Sequence, residues 1–143
     1  MNGVEKFPSV IADIMNRSVT TVDVGMKVID AAKIMARERS GCVIAVEGGK
    51  AVGIVTERDM LERILAAGRD PSKTTIGEIM SSPLIQVGED SSILEAIRKM
   101  RRHNIRRLAV MEGEKLVGIV TDKDILRAVA ILALASFHPL LEI

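Results

Sequence analysis

The chain carries one pattern twice. Residues 13–61 superpose on residues 78–126 at a constant offset of 65 positions without a gap. About a third of the paired residues are identical, which marks an internal duplication. The match is densest where Gly53-Ile54-Val55-Thr56-Glu57-Arg58-Asp59 meets Gly118-Ile119-Val120-Thr121-Asp122-Lys123-Asp124. Asp13-Ile14-Met15 recurs as Glu78-Ile79-Met80, and Glu47-Gly48-Gly49-Lys50 as Glu112-Gly113-Glu114-Lys115. A duplication constrains a fold because each copy must bury the same apolar face, and one copy can cover the other. Two such copies are expected to pack about a pseudo-twofold axis, with chemistry common to both pointing into a shared cleft.

Each copy reads as strand, helix, strand, strand, helix. In the first, Val19 to Val22 is a β-branched run, and Val28, Ala31, Ala32 and Met35 follow at helical spacing. Cys42 to Val46 and Ala51 to Thr56 are apolar runs joined by a glycine-bearing hairpin turn. Met60, Leu61, Ile64 and Leu65 form the stripe of a second helix. The second copy repeats this order. Leu84 to Val87 is the strand, Ile93, Ala96, Ile97 and Met100 the helical face, and Ser91 or Ser92 the N-cap. Arg107 to Met111 and Leu116 to Thr121 are its hairpin strands, and Ile125, Leu126, Val129 and Ala130 fall in the same phase as the earlier helix. The fold class is α/β (α+β): two β-α-β-β-α repeats packed pseudo-twofold as one body. Repeat 1 spans residues 8–67, a turn-rich linker 68–75, and repeat 2 residues 76–136 with an extended apolar C-terminal helix.

Composition narrows the function classes. Of 143 residues, 48% are apolar, yet Phe7 and Phe137 are the only aromatics. The core must be aliphatic, and no ring platform exists for stacking bases. A net charge of +1 offers no general field for nucleic acid. The single cysteine, Cys42, rules out an internal disulfide and suits a reducing compartment. No leader is visible, and the longest apolar run, Ala128 to Ala135, is far below the roughly 18 residues of a membrane span. A cytoplasmic protein is expected. A helix apolar all round is normally buried, so Ala128 to Phe137 predicts a homodimer, unless the segment around Val10, Ile11 and Ile14 covers it.

Thr56 with Asp59, and Thr121 with Asp124, stand where an apolar strand meets a helix. A Thr N-cap with an acidic residue in the first turn satisfies orphan backbone N–H groups. The same geometry also makes a ligand site: free N–H groups and a hydroxyl meet an anion, and the carboxylate accepts hydrogen bonds from a vicinal diol. Gly53 and Gly118 allow close backbone approach. A basic cluster of Arg98, Lys99, Arg101, Arg102, His103, Arg106 and Arg107 reads either as a solvated helix face or as a phosphate contact. Catalysis has no candidate set: His103 and His138 are scattered, no metal-ligand spacing occurs, and Cys42 sits in an apolar strand. Neither an enzyme nor a catalytic cofactor is expected.

The order of these motifs, twice over, resembles a tandem cystathionine-β-synthase (CBS) domain pair, or Bateman module, across roughly residues 10 to 130. The resemblance implies a regulatory module that binds AMP, ADP, ATP or S-adenosylmethionine between the repeats and reports to an effector protein. It implies that Asp59 and Asp124 take the ribose and that Thr56 and Thr121 meet phosphate or ribose. Thr20 and Ile85, with Val43 and Leu108, fall where such modules form the base pocket. Arg106 and Arg107 fall where basic residues reach phosphate, whereas repeat 1 has Gly41 and Cys42 there, so the two sites need not be equivalent. The alternatives are a ligand-free dimerisation scaffold, and binding of nucleic acid or an acidic partner through the Arg98 to Arg107 stripe.

Overall fold

The computed structural model describes residues 8–141, with side chains described through residue 137. The described residues divide into two compact units, one made of residues 18–85 and the other of residues 8–17 with 86–141. The crossing points are therefore near residues 17 and 85. The predicted linker, residues 68–75, lies inside the first of these units, with turns at residues 71–73.

In the unit of residues 18–85, β1 (Thr21–Asp23) leads through α1 (Val28–Glu38) to β2 (Cys42–Glu47) and β3 (Lys50–Thr56). β1 lies parallel to β2, and β2 antiparallel to β3, in the order β1-β2-β3. The short helix α2 (Glu57–Met60) runs directly into a π-helical stretch, Leu61–Leu65, and α3 (Ile76–Ile79) follows. The second unit repeats the plan with β4 (Gln86–Gly88), α4 (Ile93–His103), β5 (Arg107–Glu112), β6 (Lys115–Thr121) and the long α5 (Asp122–Leu141). A short 3-10 turn, Ile11–Asp13, is the first element among the described residues. β1 and β4 begin about two residues later than the apolar runs suggest, so Thr20 and Ile85 precede them. The hairpin strands match the sequence reading to within a residue.

Each sheet is covered where its strands are apolar without alternation. Val43, Ile44 and Ala45 are all fully buried, as are Leu108 and Val110, so both faces of the central strands are dry. Val22, Val28, Ala31, Met35, Val55 and Ile64 close the core of the first unit. The hairpins turn through Gly48 (φ 58°) and Gly49 (φ 80°), and through Gly113 (φ 61°), a left-handed backbone that glycine adopts at little cost.

The segments ahead of each repeat cross over. Asp13-Ile14-Met15-Asn16 packs on the sheet of repeat 2, and Glu78-Ile79-Met80-Ser81 on that of repeat 1. Asn16 and Ile119 exchange backbone hydrogen bonds of 2.8 and 2.9 Å, and Ser81 and Ile54 exchange bonds of 2.9 and 3.1 Å. The glycines explain the fit. A Cβ on Gly118 would stand 2.8 Å from Met15 Sδ and 2.9 Å from Asn16 O; one on Gly53 would meet Met80 Sδ at 2.6 Å and Ser81 O at 2.9 Å.

The last helices of the repeats do not share one phase, contrary to the sequence expectation. In α5, Ile125 and Ala128 are buried while Leu126 and Val129 are 69% and 48% exposed. In the first repeat Ile64, the counterpart of Val129, is buried, and Leu61 and Leu65 are exposed. The π stretch is the cause. Its Ala66 amide bonds to Leu61 O at 2.8 Å, five residues back. Each such turn takes an extra residue and rotates the buried face by one position.

Candidate ligand site at the strand–helix junctions

β3 and β6 end in threonines because a β-branched residue closes an apolar strand well and its hydroxyl can cap a helix. Asp59 N donates to Thr56 Oγ1 at 3.3 Å, while Asp59 Oδ2 accepts from Thr56 N at 2.9 Å and Thr56 Oγ1 at 3.2 Å. At the second junction the matching distances are 3.2, 2.9 and 3.0 Å between Thr121 and Asp124. Both are reciprocal capping boxes. The same device occurs at α3, where Glu78 Oε2 accepts from Thr75 N at 2.6 Å. That amide bond holds the Glu78 carboxyl below its ordinary value. The box is thus a folding device first, and a ligand must use what it leaves over.

What it leaves is Oδ1 of each aspartate. Asp124 Oδ1 has Arg127 Nη1 at 3.8 Å, from a side chain 73% exposed. Asp59 Oδ1 has Arg63 Nε at 3.7 Å. Neither is a hydrogen bond at that length. Arg63, however, is held elsewhere: its Nη1 donates to Ile79 O at 2.6 Å, closing a carbonyl at the end of α3. The sequence reading passed over both arginines, although each lies within one helical turn of its aspartate.

Of the remaining predicted site residues, Arg106 and Arg107 come to the second junction. Arg106 O accepts from Asp122 N at 3.0 Å, and Arg107 is the ladder partner of Thr121. Directly opposed residues in an antiparallel pair share a face. The Arg106 side chain is exposed and Arg107 half-buried, and neither forms an ion pair with a described residue. In the first repeat Gly41 and Cys42 hold the same backbone positions. Thr20 is committed: its Oγ1 donates to Glu38 Oε2 at 2.6 Å. Ile85, its counterpart, has no hydroxyl and is half-buried. Val43 and Leu108 are 0% exposed, so their side chains serve the core and only their backbone is left for a base pocket.

The rest of the basic cluster is a solvent-facing helix surface. Arg98, Arg101, Arg102 and His103 are exposed on α4, and Lys99 Nζ donates to Gln86 O at 2.6 Å. Arg101 and Arg102 occupy the last turn, where they complement the negative helix end. Ser92 is the N-cap, accepting from Glu95 N at 3.1 Å. Among the described residues no three His, Cys, Asp or Glu side chains gather as a metal site, and no helix is long and apolar enough to cross a membrane.

Comparison with known proteins fits this arrangement. The family model described as CBS domain matches residues 11–66 and again 76–131. The chain belongs to the CBS-domain family and carries a pair of the domains. It is 35% identical over 117 residues to the CBS domain-containing protein YhcV of Bacillus subtilis, covering 82% of this chain and 83% of that one. It is 36% identical over 126 residues to hypoxic response protein 1 of Mycobacterium tuberculosis, covering 87% and 88%. A crystal structure of Hypoxic Response Protein I with two coordinated zinc ions is similar at a TM-score of 0.73 and 35% identity, covering 82% and 97%. The CBS domain pair of protein MJ0100, solved with 5′-methylthioadenosine and S-adenosyl-L-methionine, is similar at a TM-score of 0.76 and 32% identity, covering 85% and 95%.

Proposed function

We propose that this CBS pair is a non-catalytic regulatory module that binds an adenosyl ligand through its strand–helix junctions. The observation that carries the proposal is the second junction. There one carboxylate oxygen of Asp124 is fixed by the cap, which aims the other as an acceptor suited to a ribose diol. Thr121 and the start of the 20-residue α5 lie beside it, and Arg106 and Arg107 supply forked donors suited to phosphate or carboxylate. The adenosyl ligands held by the related MJ0100 pair support the same chemical class. S-adenosylmethionine, 5′-methylthioadenosine, AMP, ADP and ATP are the candidates, and the bound state is reported to an effector protein through the ligand's differential affinity for two conformations.

Thermal denaturation with each nucleotide tests this. A ligand at 100 times its dissociation constant stabilises the folded state by about 2.7 kcal/mol. No shift with any of the five at millimolar concentration would leave the scaffold reading, which the three capping boxes favour.

The module acts as a homodimer in this reading. Ile131, Leu134 and Phe137 of α5 are 46%, 63% and 58% exposed. They lie on the same helix as Ile125, Leu126 and Val129, which with Ile97, Met100, Ile105 and the charged Arg101 and Asp122 line a groove of about 440 Å³. The opening segment does not cover this face: Ile11 and Ala12 bond instead to Ser91 O and Glu89 O, each at 2.9 Å. The α5 sequence from 128 to 141 has no acidic or basic residue other than His138. An uncharged, exposed stretch of this kind suits a second copy of itself.

A further inference from the structure

We infer that the two aspartates are no longer equivalent: Arg63 locks Asp59 into a structural role, and Asp124 alone is left open to a ligand. This rests on the adenosyl reading above for the identity of the ligand, but the lock itself is a property of the unit made of residues 18–85.

Three observations carry it. The first is the partner of Arg63. Its guanidinium stands between Asp59 Oδ1, at 3.7 Å, and Ile79 O, to which it donates at 2.6 Å. One end is therefore fixed by a charge-assisted hydrogen bond, and the cation is held beside the one oxygen the capping box leaves. A diol approaching Asp59 must compete with a tethered cation whose side chain is 44% exposed. The second is the duplication itself. The position equivalent to Arg63 is Ala128, which is buried, and the position equivalent to Ile79 is Ile14. With the phase shifted by one residue, Arg127 takes the place of Arg63 in repeat 2, at 3.8 Å from Asp124 Oδ1, but without the tether to a backbone carbonyl. The Arg127 side chain is 73% exposed and makes no second hydrogen bond or ion pair with a described residue. It can swing away at little cost.

The third observation is how the difference arises. A regular helix after Asp59 would turn position 63 toward the core, as α5 turns Ala128. The π stretch of residues 61–65 moves the buried position on to Ile64, and Arg63 emerges beside Asp59 and the end of α3. The widened turn and the tethered arginine thus act together, whereas repeat 2 has a regular helix and an untethered arginine. Arg106 and Arg107 strengthen the contrast, since repeat 1 offers Gly41 and Cys42 at those places.

Two measurements test this separately from the ligand's identity. The first needs no ligand. Arg63→Gln should lower the melting temperature by several degrees, because the Ile79 carbonyl and the Asp59 carboxylate lose a partner, whereas Arg127→Gln should change it by less than one degree. Equal effects would overturn the lock whether or not any nucleotide binds. The second is calorimetric titration of the full chain with S-adenosylmethionine, 5′-methylthioadenosine and AMP. The expected result is one equivalent per chain, weakened at least tenfold by Asp124→Asn, with a second equivalent gained in Arg63→Gln. Two equivalents in the unaltered chain, or full-affinity binding to Asp124→Asn, would overturn the inference while leaving the adenosyl function standing. Absence of binding by all three would overturn the function, and the melting contrast would still decide the lock.

Discussion

At the scale of single residues, a few side chains have one geometry and two possible uses. Thr121 and Asp124 satisfy each other as a cap, and the same bonds orient the carboxylate. Sequence alone cannot separate these uses, because a cap and a diol acceptor need the same residue types at the same spacing. The glycines are more decisive. Gly118 was expected to permit close approach, and the structure supplies the neighbour: Met15 Sδ and Asn16 O, both nearer than a Cβ allows. One of these atoms is backbone and cannot rotate away. Gly118→Ala should therefore destabilise the fold by about 1–3 kcal/mol, the usual cost of overpacking. Urea denaturation of Gly118→Ala and Gly53→Ala would measure it. Wild-type midpoints in both variants would mean that the opening segments are not seated on the sheets.

At the scale of elements, the hairpins were readable and the final helices were not. β2, β3, β5 and β6 are apolar runs bounded by glycine turns, a strong local signal. The π stretch leaves no such mark. Met60, Leu61, Ile64 and Leu65 have ordinary helical spacing, and only packing reveals that Ile64 is buried while Leu61 and Leu65 face outward. Counterpart positions then have different energetic roles. Ile64→Ala should cost about 2–5 kcal/mol, as for other buried aliphatic truncations. Val129→Ala, at the equivalent and half-exposed position, should cost under about 1 kcal/mol in an unassociated chain. Comparable losses in denaturant titrations would show that the two helices share one phase after all.

At the scale of the whole molecule, the duplicated order of elements identified the family, whereas the composition of the compact units did not follow from it. The family model matches residues 11–66 and 76–131, but residues 8–17 join the unit of repeat 2 and residues up to 85 that of repeat 1. The exposed α5 face belongs to this scale too. Replacing Leu134 and Phe137 together by Glu should convert a dimer to a monomer in sedimentation velocity without lowering monomer stability, since both side chains face solvent within the protomer. A wild-type chain that sediments as a monomer at high micromolar concentration would remove the assembly proposal.

By itself the sequence determined what repeats: two copies of a strand-helix-hairpin-helix plan, an aliphatic core, and a Thr-x-x-Asp box at each junction. All of these are local patterns, fixed by spacing along the chain. Only the tertiary structure decided which copy of each pattern is free to act. Thr20 is tied to Glu38, Val43 and Leu108 are sealed in the core, and Arg63 is held at the end of α3 beside Asp59. Each of these depends on a contact between residues at least sixteen positions apart or on burial from several elements at once. A one-residue shift in helical phase, invisible in the spacing of apolar residues, is enough to make duplicated sites unequal.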